Sequence, residues 1–188
     1  MPLRASGGTE FFMKWPNRLS ILRILCVPLI VLLLSLSQPW CTWAGAAVFA
    51  LASFTDFLDG HLARKNQWIT VFGKFIDPVA DKLLVLSTLI MLTWLDLTPP
   101  WVTILILARE LSVDGLRLIA ISRGQVIAAG PLGKIKTFSQ MIYILLILIL
   151  RRPSLSFWPG IVACLWVCVI TLWSGIDYFF HHRNLLRD

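Results

Sequence analysis

Six long apolar stretches, at 19–36, 43–63, 75–95, 101–121, 137–150 and 157–178, follow one another with only short polar breaks between them. At about 1.5 Å per helical residue, five of them are long enough to cross the roughly 30 Å hydrocarbon core of a bilayer. The fifth reaches that length only if its helix begins among the charged residues that precede it. A backbone surrounded by lipid must satisfy its own hydrogen bonds, which leaves the helix as the solution for runs of this kind. The sequence therefore predicts an all-α, polytopic membrane protein with six transmembrane helices. A hydrophobic content of 57% against only 14% charged residues agrees, since soluble domains carry about 25% charge. The breaks fall at Gln38-Pro39, Asn66-Gln67, Thr98-Pro99-Pro100, Arg123-Gly124 through Gly130-Pro131, and Arg152-Pro153, where turn formers and helix breakers sit. Because the connections are short, residues 13–188 are expected to form one membrane domain. Residues 1–12 show no periodicity, and Met13 would serve as a start for everything after it, so 1–12 are expected to be a disordered or leader segment.

The net charge of +7 is distributed between the apolar stretches rather than along one stripe. Lysines and arginines crowd the segment before residue 24, the 64–74 break, the 117–136 break and the C-terminal tail, whereas Arg151 and Arg152 stand alone at the alternate breaks. By the positive-inside rule both termini are cytoplasmic, in the cytoplasmic (inner) membrane. Trp40, Trp43, Trp94, Trp101 and Trp158 lie near the opposite helix ends, where indole rings favour the interface. No basic stripe is interleaved with stacking aromatics, which argues against nucleic acid as a partner and for membrane lipid. Cys26, Cys41, Cys164 and Cys168 lack CxxC pairing and are expected to be buried small residues. His61, His181 and His182 make no metal set with them.

Within this apolar background four aspartates need a reason to exist. Asp56 and Asp59 lie near the end of the second stretch, and Asp77 and Asp81 near the start of the third. An unpaired carboxylate there costs several kcal/mol. Spacings of three and four residues put each pair on one helix face. If the two helices form an antiparallel hairpin turning near Trp68, Asp56 comes level with Asp81 and Asp59 with Asp77. The cluster would then lie shallow, on the cytoplasmic side. Four converging carboxylates cannot all stay ionised without a cation, and an all-oxygen donor set suits Mg²⁺ or Mn²⁺, one or two ions. Such ions clamp phosphate oxygens during in-line displacement, which points to phosphoryl chemistry. Gly60 and Gly73 remove side chains beside the acids, and Arg64 is placed to meet a pyrophosphate. A cation transporter is the alternative from another class, but its acids would trace a route across the bilayer instead of sharing one depth.

Written out, the run Asp56-x2-Asp59-Gly60-x2-Ala63-Arg64-x8-Gly73-x3-Asp77-x3-Asp81 resembles, at every fixed position, the signature of the CDP-alcohol phosphotransferase family. The resemblance implies a homodimer with a cytoplasm-facing cavity and a two-metal site. It implies that Asp56, Asp59, Asp77 and Asp81 hold the ions and that Asp81 also takes the proton of the attacking hydroxyl. It further implies that Gly60, Arg64 and Thr70, with Asn17, Ser20 and Arg23 near the N-terminus, contact the CDP-linked lipid.

The fourth stretch carries Arg109, Glu110, Asp114 and Arg117, and the next break ends in Gly133-Lys134-x-Lys136-Thr137. Polar residues on a spanning helix usually face a cavity or the bundle. Arg109, Arg117, Lys134 and Lys136 could together bind an acceptor alcohol that itself carries a phosphate. Arg109-Glu110, Gly115-Leu116-Arg117 and Gly133-Lys134-Ile135-Lys136-Thr137 look like the phosphatidylglycerophosphate-forming branch of the family. That likeness implies transfer of a phosphatidyl group from CDP-diacylglycerol to sn-glycerol 3-phosphate, with release of CMP. A phosphatidylinositol-phosphate synthase, or another CDP-alcohol phosphotransferase, is the runner-up, because its acceptor could need the same basic pocket.

Overall fold

The computed structural model describes residues 15–36, 38–66, 71–124 and 130–183, without the side chains of 15–18 and 56–75. Asp56, Asp59, Gly60 and Arg64 are thus placed only as positions along a helix. The side chain of Asn17, the whole of Thr70 and the expected leader at 1–12 lie outside the described residues.

The described chain is all-helical: α1 Trp15–Ser35, α2 Pro39–Asn66, α3 Val71–Trp94, α4 Pro100–Ser122, α5 Pro131–Leu150 and α6 Trp158–His181, with a 3₁₀ turn at Ser154–Ser156 before the last. Each apolar stretch read from the sequence lies within one of these helices to within two residues at its ends. Prolines set the starts. Pro39 and Pro100 open α2 and α4, Pro131 opens α5, and Pro159 stands in the first turn of α6. A proline there loses no hydrogen bond, because the first N–H groups of a helix have no intrahelical partner. The fifth helix begins six residues before its apolar stretch, among the charged residues as expected, and so gains the length its apolar part lacks.

The chain divides into two compact units, Met1–Thr88 and Leu89–Asp188. In the first, α1 packs on α2 through Ile30, Leu34, Cys41, Ala46 and Phe49, all buried. Gly45 lets the two backbones approach closely, since a Cβ there would lie 3.1 Å from Leu34 Cδ2. In the second, α6 packs against both α4 and α5. Val102, Ile106, Tyr143, Ile147, Cys164 and Val167 are buried there, and Val113, Leu116 and Ala120 gather around Tyr178. The four cysteines are free thiols; Cys41, Cys164 and Cys168 are buried, as their apolar setting led us to expect, whereas Cys26 is only partly buried.

The outward faces are apolar as well. Leu25, Leu32, Phe54, Ile104, Leu118, Trp166 and Phe180 are all more than half exposed. A helix that is apolar on every side belongs in a core or in lipid, and this much exposed apolar surface is foreign to a soluble monomer. Among the described residues, two helices, Pro131–Leu150 and Trp158–His181, are long and apolar enough by length and composition to cross a membrane, and Leu19–Ser35 is a shorter apolar helix. The helix α4 carries Arg109, Glu110, Asp114 and Arg117 along its length, so its apolarity is diluted even though its outward residues are not. The five tryptophans expected at an interface all stand within four residues of a helix end and are exposed.

One end of the second unit is tied by backbone contacts. Asp96 and Arg151 adopt positive φ, and Arg151 closes α5 with its N–H on the Ile147 carbonyl. Ser154 N–H then donates to Leu97 O at 2.8 Å, joining the α3–α4 connection to the α5–α6 connection, and Thr98 Oγ1 lies 3.1 Å from Tyr143 Oη. Gly160 completes the turn. A Cβ at this position would collide with the Ser154 carbonyl and approach the Phe157 ring to 2.7 Å. Gly160→Ala is expected to cost about 1–3 kcal/mol through overpacking, read as a lower unfolding midpoint in detergent. Gly133→Ala, where the added methyl meets nothing within 4 Å, is the control. Equal midpoints for both variants would show that the turn yields.

Candidate active site

In the first unit the site is built by α1 and α3. Ser20 and Arg23 are three residues apart and so share a face of α1; Asp77 and Asp81 are four apart on α3. Ser20 Oγ donates to Asp77 Oδ1, and Arg23 Nη1 donates to Asp81 Oδ1 in an ion pair. Ser20 and Arg23 are almost fully buried, whereas the Asp81 side chain is 29% exposed. Two buried donors therefore hold two carboxylates whose positions repeat every helical turn. Charge-assisted bonds of this type are stronger than neutral ones and fix a rotamer as well as a distance. Pro78, between the two acids, has no N–H, so α3 lacks one of its own hydrogen bonds here.

The expectation that Asp56 and Asp59 converge on Asp77 and Asp81 concerns side chains outside the described residues. Among the described residues no three acidic, histidine or cysteine side chains gather into a metal site. What the described half of the set offers is carboxylate oxygen one helical turn apart, a donor chemistry that fits Mg²⁺ or Mn²⁺ and does not fit a soft metal. Ser20 and Arg23, expected from the family resemblance to touch the CDP-linked lipid, have their described contacts on these acids. Nothing in the sequence pairs residues 57 and 58 positions apart; the only hint was that two polar residues and two acids each repeat at helical spacing.

In the second unit three helices bring charge together. Glu110 of α4 accepts from Lys136 Nζ of α5 through Oε1, and its Oε2 lies 3.5 Å from Arg109 Nη1. Arg109 Nη2 donates to Ser174 Oγ of α6 at 2.6 Å. Two turns further along α4, Arg117 Nε donates to Tyr178 Oη at 3.1 Å, with the guanidinium carbon 5.6 Å from the ring centroid. Lys134 is exposed while Lys136 is buried. Of the four expected acceptor residues, then, the structure joins Arg109 and Lys136 through Glu110 and gives Arg117 a separate partner. Ser174 and Tyr178 were missed in the sequence because a serine and a tyrosine on an apolar helix look like packing. A cavity of about 610 Å³ between α4 and α6, walled mainly by Leu105, Leu172, Ile176 and Phe179, also has Arg109 and Arg183 in its lining. Arg109 thus borders both an apolar cavity and a buried ion-pair cluster.

The pattern of acids can be compared with known proteins. A family model described as CDP-alcohol phosphatidyltransferase matches residues 13–173. The chain belongs to the CDP-alcohol phosphatidyltransferase family. The match begins at Met13 and takes in α1 to α5 and most of α6. Similar members of the CDP-alcohol phosphatidyltransferase family include the CDP-diacylglycerol--glycerol-3-phosphate 3-phosphatidyltransferase of Bacillus subtilis (strain 168), 41% identical over 186 residues, covering 92% of this chain and 96% of the relative. The Rickettsia typhi protein of the same name is 40% identical over 87% of this chain and 94% of its own length. That of Escherichia coli (strain K12) is 34% identical over 92% and 97%.

Proposed function

We propose that this chain transfers the phosphatidyl group of CDP-diacylglycerol to sn-glycerol 3-phosphate, giving phosphatidylglycerophosphate and CMP in phospholipid biosynthesis. The observation that carries this reading is the set of relatives bearing that enzyme's name, 34% to 41% identical over nearly the full length of both partners. The chain acts as a single membrane domain from residue 13 onward. Its six helices span the cytoplasmic (inner) membrane with both termini and the active site on the cytoplasmic side, and two copies form a homodimer. The distribution of Lys and Arg and the exposed apolar helix faces support this topology.

In the reaction, a hydroxyl oxygen of the acceptor forms a bond to the phosphorus that carries diacylglycerol, and the pyrophosphate P–O bond breaks to release CMP. Asp81 takes the proton of the attacking hydroxyl. Asp56, Asp59, Asp77 and Asp81 hold two divalent ions, Mg²⁺ or Mn²⁺, and when bound these supply charge neutralisation at the phosphate oxygens. Ser20 and Arg23 orient Asp77 and Asp81 through the bonds described above. The donor lipid is held by Asn17, Ser20, Arg23, Gly60, Arg64 and Thr70, with Arg64 meeting the pyrophosphate. Arg109, Arg117, Lys134 and Lys136 bind the acceptor's phosphate.

Incubation of the detergent-solubilised protein with CDP-diacylglycerol, Mg²⁺ and competing acceptors tests the reading directly. Phosphatidylglycerophosphate should be the product when sn-glycerol 3-phosphate is present. Release of CMP with inositol phosphate but not with sn-glycerol 3-phosphate would assign the chain to a different acceptor. Residue by residue, Arg117→Ala should raise the KM for sn-glycerol 3-phosphate roughly 10- to 150-fold, the loss of a charge-assisted contact of about 1.5–3 kcal/mol. The KM for CDP-diacylglycerol should barely move, and Arg64→Ala should show the reverse pattern. If alanine at all four basic positions leaves the glycerol 3-phosphate dependence intact, those residues are topology anchors.

A further inference from the structure

Glu110 has no role in the reaction as described, yet it is the acidic centre of the buried charge cluster. Its side chain is 8% exposed and meets one cation through each oxygen: Lys136 from α5 through Oε1 and its neighbour Arg109 through Oε2. Both cations are confined. The Lys136 side chain is 5% exposed, and Arg109 reaches α6, where it bonds Ser174 and where a Cβ at Gly175 would come to 3.2 Å of its Cγ. Stability alone is a poor reason to keep such a carboxylate, because apolar packing of equal volume is often as stable as a buried ion pair. Asp114 and Arg117 of α4 also act on Arg109, so Arg109, Arg117 and Lys136 face Glu110 and Asp114, three positive charges against two negative, and a buried surplus of charge is costly until an anion joins it.

We infer that Glu110 is a positioning residue for the acceptor: it fixes Lys136 and Arg109 in one arrangement and leaves their cluster one positive charge in excess, which a phosphate monoester neutralises. The inference rests on the reading above, in which Arg109 and Lys136 bind the acceptor's phosphate. It adds a basis for selectivity. An uncharged alcohol leaves the surplus charge unmet, whereas a phosphorylated one completes it.

Glu110→Gln should raise the KM for sn-glycerol 3-phosphate roughly 10- to 100-fold with the KM for CDP-diacylglycerol nearly unchanged, and should lower the unfolding midpoint, because two buried cations lose the carboxylate between them. Glu110→Asp keeps the charge but withdraws it by one methylene, and should give a smaller rise in the same constant. In a double-mutant cycle Glu110→Gln and Lys136→Met should be strongly non-additive, because one residue acts through the other. Additive effects, an equal rise in both constants, or an unchanged KM for sn-glycerol 3-phosphate overturn the proposal. Where Glu110→Gln does not give folded protein, Glu110→Asp carries the test, and a wild-type KM in that variant overturns it equally. A wild-type enzyme that ignores sn-glycerol 3-phosphate altogether defeats the acceptor reading itself, and this proposal with it. A glycerol 3-phosphate-dependent wild type paired with an unaffected Glu110→Gln defeats this proposal alone.

Discussion

Asp81→Asn should lower the rate of CMP release by roughly 10²- to 10⁴-fold, the usual contribution of a positioned general base, while the protein stays folded and still binds CDP-diacylglycerol. The substitution is nearly isosteric. Its amide oxygen can still accept from Arg23 Nη1, the bond that Asp81 Oδ1 makes now, so the link between α1 and α3 survives. What the amide cannot do is take a proton from the attacking hydroxyl. Steady-state turnover, the unfolding midpoint in detergent and protection by CDP-diacylglycerol against thermal unfolding together separate these effects. More than about a tenth of the wild-type rate would assign the proton to another group, since base catalysis is worth roughly 10²-fold or more. Loss of lipid-dependent protection along with the rate would show that Asp81 acts in binding.

Removal of divalent ions should be as damaging. A cation pair contributes several kcal/mol of charge stabilisation to a phosphoryl transition state, and about 4 kcal/mol corresponds to roughly three orders of magnitude in rate. Excess EDTA should therefore bring CMP release close to background, and Mg²⁺ or Mn²⁺ added back should restore it. Restoration distinguishes loss of the ions from denaturation by the chelator. Full turnover in excess EDTA would remove the metal reading and leave the four aspartates needing another explanation. Asp77→Ala should raise the Mg²⁺ concentration needed for half-maximal rate, because Asp77 offers one of the carboxylates held by a buried donor from α1.

The helices were legible because their signal is the simplest one a sequence carries: an apolar run long enough to span lipid, ended by proline or glycine. Prolines read as breaks stand at the starts of α2, α4 and α5, where a helix has no hydrogen bond to lose, although the apolar stretches themselves begin four, one and six residues later. The acids could be read for a related reason, since a carboxylate in an apolar run is expensive and spacing places it on a face. The partners of those acids could not. That Ser20 meets Asp77 and Arg23 meets Asp81 depends on how α1 sits beside α3, a packing relation between helices that no local pattern encodes. Lys136 shows the same limit. The sequence placed it among basic residues for the acceptor's phosphate but could not name its partner, and α5 carries it inside, against Glu110. Lys134, two residues earlier, stays exposed, so adjacent members of one motif have opposite surroundings.

The bond from Ser154 N–H to Leu97 O bears on how chains of this plan can diverge. Because it joins main-chain atoms, it is indifferent to side chains, and constraint on the sequence falls instead on Thr98, which bonds Tyr143, and on Gly160 in the first turn of α6, where even a methyl has no room. Length is another matter. An inserted residue in either connection would shift one partner of the Ser154–Leu97 bond out of register with the other. Insertions, fusion tags and reporter epitopes therefore belong elsewhere in the chain, and at this end variation among descendants should be written in letters rather than in gaps.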